Sequence, residues 1–334
     1  MSGDPTAASP SGPPPPDGWV GGHPGAPARE ARWDQVGGAK DPAAATSASA
    51  TPLVGRSRRS LVLRIASGAL FVPLLVLLAR AGHEVFLALV ALEVGLAINE
   101  FYRMMRVKGL EPYRVFGTLA AVSLLWVTFR PENGQADFLA TAALLLALAF
   151  ELRRSRRPRQ IEVIAVTLFG VIYVGWLSAH LVLLRELPWR AGTDYADGAS
   201  YVLLAFFVTW SCDTGAYAVG RALGRTRPWT KISPLKSVEG AVGGFACALL
   251  AALGARAWFA PYLTLRDALA IGTLVGVFAQ VGDLVESLLK RDALQGDSSD
   301  LIPGHGGVLD RFDSLYFAGP IVYYYLKLVV FRVP

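Results

Sequence analysis

Cysteine is almost missing from this sequence. The two that occur, Cys212 and Cys247, lie inside apolar runs and form no C-x-x-C pair, which excludes a disulfide framework and a zinc knuckle. Charge is thin as well: Asp, Glu, Lys and Arg make up 17% of the 334 residues against 53% hydrophobic, below the charged share and above the apolar share of soluble domains. After residue 60 no polar stretch is long enough to form a soluble domain, so the chemistry must sit at a membrane. The formal net charge of +6 would suit nucleic acid if it lay on one polar domain. It falls instead in short clusters between apolar runs, as juxtamembrane anchors do, so anionic membrane lipid and no nucleic acid is the expected neighbour.

The first sixty residues are Pro, Ala, Gly and Ser with scattered charge, including Pro13 to Pro16. They lack the apolar residues that would offset their ordering entropy, so a disordered tail is expected over 1–60. The apolar stretch that follows lies too deep for an ordinary cleavable signal peptide and is expected to remain as a membrane helix. A bilayer core takes roughly 20 mostly apolar residues per helix. Candidate spans fall at 61–79, 84–102, 113–129, 137–152, 161–184, 199–219, 238–260, 267–289 and 314–331. The expected fold is all-α, a polytopic integral membrane protein of about nine transmembrane helices, with an N-terminal group over 61–160 and a catalytic region over 161–334. Every second connection is basic: Arg103, Arg106 and Lys108; Arg153 to Arg159; Arg221 to Lys236; Lys290, Arg291 and Arg311. That alternation predicts a cytoplasmic N-terminus in the cell membrane, with those loops on the cytoplasmic side.

Most of the spans are ordinary, but two hold acid. An ionised carboxylate near the bilayer centre costs about 2.5–3.5 kcal/mol on insertion scales, so Asp213 and Asp283 each need a partner or a cavity. Asp283, Ser287 and Lys290 fall at i, i+4 and i+7 and share one helical stripe. The loop after them places Gly304, Gly306 and Gly307 around His305, where backbone N–H groups can approach phosphate oxygens. Asp310 and Asp313 follow, three apart, at the start of the last helix. A second loop, 220–236, adds Arg221, Arg225, Lys231, Ser233 and Lys236 after the helix of Asp213. Gly243 and Gly244 permit close helix packing, and Glu93, Glu100 and His180 receive no role. Acids for a hard cation beside bases for phosphate indicate metal-assisted phosphate chemistry. Spacing goes no further, since Asp310 and Asp313 also suit a helix dipole and Asp213 also suits a structural pairing between helices.

Ser287-Leu288-Leu289-Lys290-Arg291, followed by Pro303-Gly304-His305-Gly306-Gly307-Val308-Leu309-Asp310-Arg311-Phe312-Asp313, closely resembles the signature of bacterial phosphatidate cytidylyltransferases, or CDP-diacylglycerol synthases. Cys212-Asp213-Thr214-Gly215-Ala216-Tyr217 and the segment Ile232 to Gly240 are similar to further family segments. The resemblance implies a helical membrane enzyme, commonly dimeric, that uses CTP, phosphatidic acid and a divalent metal, usually Mg²⁺, with room for a second cation. It implies Asp283, Lys290 and Asp310 as catalytic groups, and Asp283, Asp310, Asp213 and Asp313 as metal carboxylates. Ser287, Arg291, His305, Gly306, Arg311, Ser233 and Lys236 are the implied substrate contacts. Gly296-Asp297 stands where the family usually has Lys-Asp. A polyprenol or phytol kinase lacks the complete Gly-His-Gly-Gly and Asp-Arg-Phe-Asp run, and the Asp-Gly-x-x-Ala-Arg pattern of a CDP-alcohol phosphatidyltransferase does not occur. A secondary transporter would show inverted halves, and none is evident.

Overall fold

The computed structural model of the protein describes residues 71–129, 135–152, 159–295 and 306–333. Among the described residues every regular element is a helix. They are α1 (Phe71–Ala81), α2 (His83–Val107), α3 (Arg114–Phe129), α4 (Gln135–Leu152) and α5 (Gln160–Ala191), the last with a wider π turn at Val171–Trp176. Then come α6 (Asp197–Leu223), α7 (Val238–Trp258), α8 (Leu265–Asp292) and α9 (Leu309–Tyr325), which runs on through a π turn at Leu326–Val330. Helix is the answer hydrocarbon imposes, because it satisfies every backbone N–H and C=O within the segment. Each of the nine apolar segments overlaps one of these helices, with 61–70 of the first lying outside the described residues. By length and composition α2, α5, α6, α7 and α8 are able to cross a membrane, five among the described residues, with α1 and α3 shorter. The nine-span count goes beyond that measure, and the tail expected over 1–60 lies outside the described residues.

The side chains sort as a lipid solvent requires. Leu92, Leu119, Ile161, Val242 and Leu250 point outward, while Ala97, Ala205, Ala248, Ala252 and Ala279 are buried between helices. Small residues let backbones close up, since helix association in lipid rests on packing rather than on escape from water. The seam between α6 and α7 is the tightest case. A Cβ on Gly240 would lie 2.8 Å from the carbonyl of Ala216 and 3.0 Å from Cα of Gly220, and one on Gly244 would lie 2.9 Å from the carbonyl of Cys212.

Two sets of polar contacts tie helix ends together at opposite faces. At one, Arg185 of α5 is buried and donates from Nε to the carbonyl of Ala79 (2.6 Å) and from Nη1 to that of Tyr195 (3.0 Å). Its guanidinium also stacks 4.0 Å from the centre of the Tyr195 ring. Arg185 thereby satisfies a carbonyl left over at the end of α1. At the other face Lys108, beyond α2, pairs with Asp292 at the end of α8, and the backbone N–H of Tyr113 donates to Thr167 near the start of α5 (3.0 Å). The ends gathered at this second face are those that the basic alternation assigns to one side.

Candidate active site

At the second face the last turns of α8 meet the first turn of α9, with α6 and the loop before α7 alongside. The loop is folded back on itself. Glu239 accepts from the backbone N–H groups of Arg225 and Thr226 (3.1 Å each), and the N–H of Val238 donates to the carbonyl of Thr226 (2.9 Å). Ser237 caps α7 by accepting from the N–H of Gly240 at 3.1 Å, a standard use of a hydroxyl at that position. This fold presents Lys236 to α8, where its Nζ lies 2.7 Å from Oδ1 of Asp283.

Lys290, two turns further along α8, is held between two carboxylates, 2.7 Å from Glu286 Oε2 and 3.0 Å from Asp310 Oδ1. The other oxygen of Asp310 accepts from the N–H of Gly307 at 2.9 Å. Gly306, at φ +82°, has the left-handed backbone that a glycine takes readily, and a Cβ there would lie 2.8 Å from Asp310 Oδ2. Asp313 accepts from the N–H of Ser314 (2.6 Å), whose hydroxyl lies 3.3 Å from Asp213 Oδ1. Asp213 is within electrostatic reach of Asp283, Lys236 and Arg311. Five carboxylates from three helices thus share one region with three cations.

Asp283, Glu286 and Asp313 come closest of all: one carboxylate oxygen from each lies within 4.8 Å of the others. Hard oxygen donors gathered this closely are of the kind that can hold a divalent cation such as Mg²⁺. Glu286 is fully buried, its charge met by the ion pair with Lys290 and its carboxyl in direct contact with that of Asp310. A buried carboxylate in that condition suits a cation. Gly282 makes the grouping possible, since a Cβ there would lie 2.6 Å from the carbonyl of Asp313 and hold α8 away from α9.

The geometry reorders the residues expected from sequence. Asp283, Asp213 and Asp313 lie in one region, and Asp310 adjoins it through Glu286, Lys290 and the N–H of Gly307. The acid that the sequence reading left out is Glu286. It escapes a stripe counted in steps of four and seven from Asp283, yet its offsets of three from Asp283 and four from Lys290 also put it on that face. Ser287 is buried on α8, and Arg311 is exposed on α9. Arg291 donates to the carbonyls of Ile232 and Gln295 at 3.2 Å each, so it pins the α6–α7 loop to the end of α8. Ser233 sits in that loop, its N–H donating to the carbonyl of Trp229 at 2.8 Å. His305, Gly304 and Gly296-Asp297 lie outside the described residues. A cavity of about 880 Å³ lies elsewhere, lined by Arg106, Arg114, Phe116, Leu119 and Phe150 among others, and shares no residue with the carboxylates.

The sequence profile described as the cytidylyltransferase family matches residues 62–329. A phosphatidate cytidylyltransferase of Synechocystis sp. is 37% identical over 290 residues, covering 80% of this chain and 97% of that protein. Those of Bacillus subtilis, 36% identical over 277 residues, and Staphylococcus haemolyticus, 32% over 260, cover 79% and 76% of this chain and 97% and 92% of their own lengths. With the match running through α2 to α9 and through every carboxylate of the site, the chain belongs to the cytidylyltransferase family.

Proposed function

We propose that this chain transfers the cytidylyl group of CTP to phosphatidic acid, giving CDP-diacylglycerol and pyrophosphate. The observation that carries this reading is the carboxylate group of Asp283, Glu286 and Asp313 flanked by Lys236 and Lys290, in a chain related over most of its length to proteins named for the reaction. A phosphate oxygen of the lipid attacks the α-phosphorus of CTP, a new P–O bond forms, and the bond to the bridging oxygen of the β-phosphate breaks. The lipid phosphate is already an anion and needs little help from a base. Repulsion between it and the triphosphate is the obstacle, and lysines beside the site offset it. Asp283, Glu286 and Asp313 would hold a divalent cation, Mg²⁺ by its preference for carboxylate oxygen, and that cation when bound neutralises phosphate charge. Radiolabelled CTP and phosphatidic acid in detergent micelles should yield labelled CDP-diacylglycerol with purified protein, in a metal-dependent reaction. With CTP labelled instead at the γ-phosphate, labelled polyprenyl phosphate formed from a polyprenol would move the reading to a lipid kinase. Light scattering on the same preparation reads the dimer that the resemblance implies.

The site is proposed to face the cytoplasm across the cell membrane. The support is the basic alternation together with the contacts that gather the ends of α2, α6 and α8 with the starts of α5, α7 and α9. Single cysteines at Lys231 and at Asp194, placed after Cys212 and Cys247 are replaced, should react with impermeant reagents from opposite sides of the membrane. Labelling of both from one side would exclude this topology.

A further inference from the structure

Two carboxylates of α2 stand outside the site just described. Glu93 and Glu100 are 5% and 1% exposed, deep in a helix able to span the membrane. Ionisable groups in such places are expensive and generally have a task. Both are directed at the same helix, α9. Oε2 of Glu100 accepts from the backbone N–H of Leu309 at 2.9 Å, and Oε1 of Glu93 accepts from the hydroxyl of Tyr316 at 2.8 Å. The two glutamates are seven residues apart on α2, and their two partners are seven apart on α9. Seven residues are nearly two turns, a rise of about 10.5 Å on either helix. The pairs therefore match the antiparallel helices at two heights, with the later glutamate facing the earlier residue of α9.

The upper pair is a helix cap supplied from another helix. The first turn of an α-helix leaves its N–H groups without internal partners. At α9 the residue in the capping position is Val308, whose side chain makes no cap bond. Glu100 supplies an acceptor there, at the positive end of the helix dipole. The capped residue, Leu309, immediately precedes Asp310, and Asp313 lies one turn further on. On its other side α9 rests against Gly282 of α8 with no space for a side chain.

We infer that Glu100, seconded by Glu93 through Tyr316, is a positioning residue that fixes the axial register of α9 and so the height at which Asp310 and Asp313 face α8. The catalytic part of this inference rests on the function proposed above, while the structural part does not. Glu100→Leu removes the acceptor at similar bulk. It is expected to speed hydrogen exchange in the segment 306–316 while leaving that of α6 and α7 unchanged. In the CTP assay it should raise the Mg²⁺ concentration for half-maximal rate by about tenfold, the usual scale for residues that orient metal ligands. Glu100→Gln keeps an acceptor of the same length and should recover most of both properties, which a role in bulk packing alone does not predict. Tyr316→Phe, which deletes one hydroxyl, should show the same local loosening to a smaller degree.

Normal exchange over 306–316 in Glu100→Leu would overturn the inference whatever the activity. Equal loosening of all helices would do so as well. If Glu100→Leu does not fold, Tyr316→Phe and Glu100→Gln decide: faster exchange confined to 306–316 in Tyr316→Phe with near-normal exchange in Glu100→Gln supports the inference, and unchanged exchange over 306–316 in Tyr316→Phe overturns it. A protein inactive with CTP in every form, wild type included, would refute the proposed function and leave the exchange result to judge the register on its own.

Discussion

Asp283→Asn, Glu286→Gln and Asp313→Asn should each lower CTP-dependent formation of CDP-diacylglycerol by about a hundredfold or more, the effect of losing about 3 kcal/mol of transition-state stabilisation. Each change keeps size and hydrogen-bonding capacity and removes the negative charge a hard cation requires. The three oxygens lie within 4.8 Å of one another and serve one centre. Any two changes together should therefore cost little more than one, as happens when residues act as a unit. Asp310 supplies the contrast. The sequence pairs it with Asp283; in the structure its carboxyl meets Lys290, the N–H of Gly307 and Glu286. Asp310→Asn should slow the reaction with little change in the Mg²⁺ concentration for half-maximal rate, while the other three should shift it strongly. Metal titration of purified variants, with folding checked by size-exclusion in detergent, separates the two patterns. A normal half-point in Glu286→Gln would remove Glu286 from the metal group, and a shifted one in Asp310→Asn would bring Asp310 into it.

The second large effect belongs to Lys290, and here burial decides between two similar residues. Lys290 and its partners Glu286 and Asp310 have side-chain exposures of 13%, 0% and 9%. Removing one member of such a group leaves charge buried without compensation, at a cost of about 3–5 kcal/mol. Lys290→Met is expected to unfold several degrees lower in detergent as well as to lose activity. Lys236 and Asp283 are 26% and 37% exposed, so water reaches the carboxylate side of their pair although Lys236 Nζ itself is buried. Lys236→Met should lower the unfolding midpoint less than Lys290→Met, with its main effect on the rate with CTP. Thermal unfolding of the two variants side by side is the measurement. Equal midpoints would mean that the Lys290 group is hydrated and contributes to catalysis alone.

Much of this was legible in the chain because lipid is a strict solvent. It demands long apolar helices, places arginine and lysine at one side, and makes any carboxylate inside conspicuous, so Asp213, Asp283 and the Asp310–Asp313 pair stand out on reading. Rotation and neighbour choice are less legible. Asp283 has neighbours on both edges of its stripe, and the close packing of α9 against Gly282 is what brings Asp313 up to Asp283 and Glu286. Glu93 and Glu100 carry no motif, and their partners, a backbone N–H and a tyrosine, are more than two hundred residues away. Arg185 falls just past the apolar run 161–184, with nothing in the sequence to show that it is buried under the end of α1. Hydropathy measures how long a helix is, not which of its faces meets which other helix.

The seam between α6 and α7 has a mechanical consequence. Where backbone touches backbone there is no side chain to change rotamer, so the two helices move as one plate. That plate carries Asp213 and ends in the loop bearing Lys236, fixing the spacing of one acid and one base against thermal motion. Gly272 and Gly276 seat α8 almost as closely on α7, so the reaction space is framed by helices packed backbone to backbone. Such packing also limits how the protein adapts to bilayers of different thickness or fluidity. The seam admits no larger residue, so adjustment is confined to the outward side chains such as Val242 and Leu250, which face lipid and leave the plate intact.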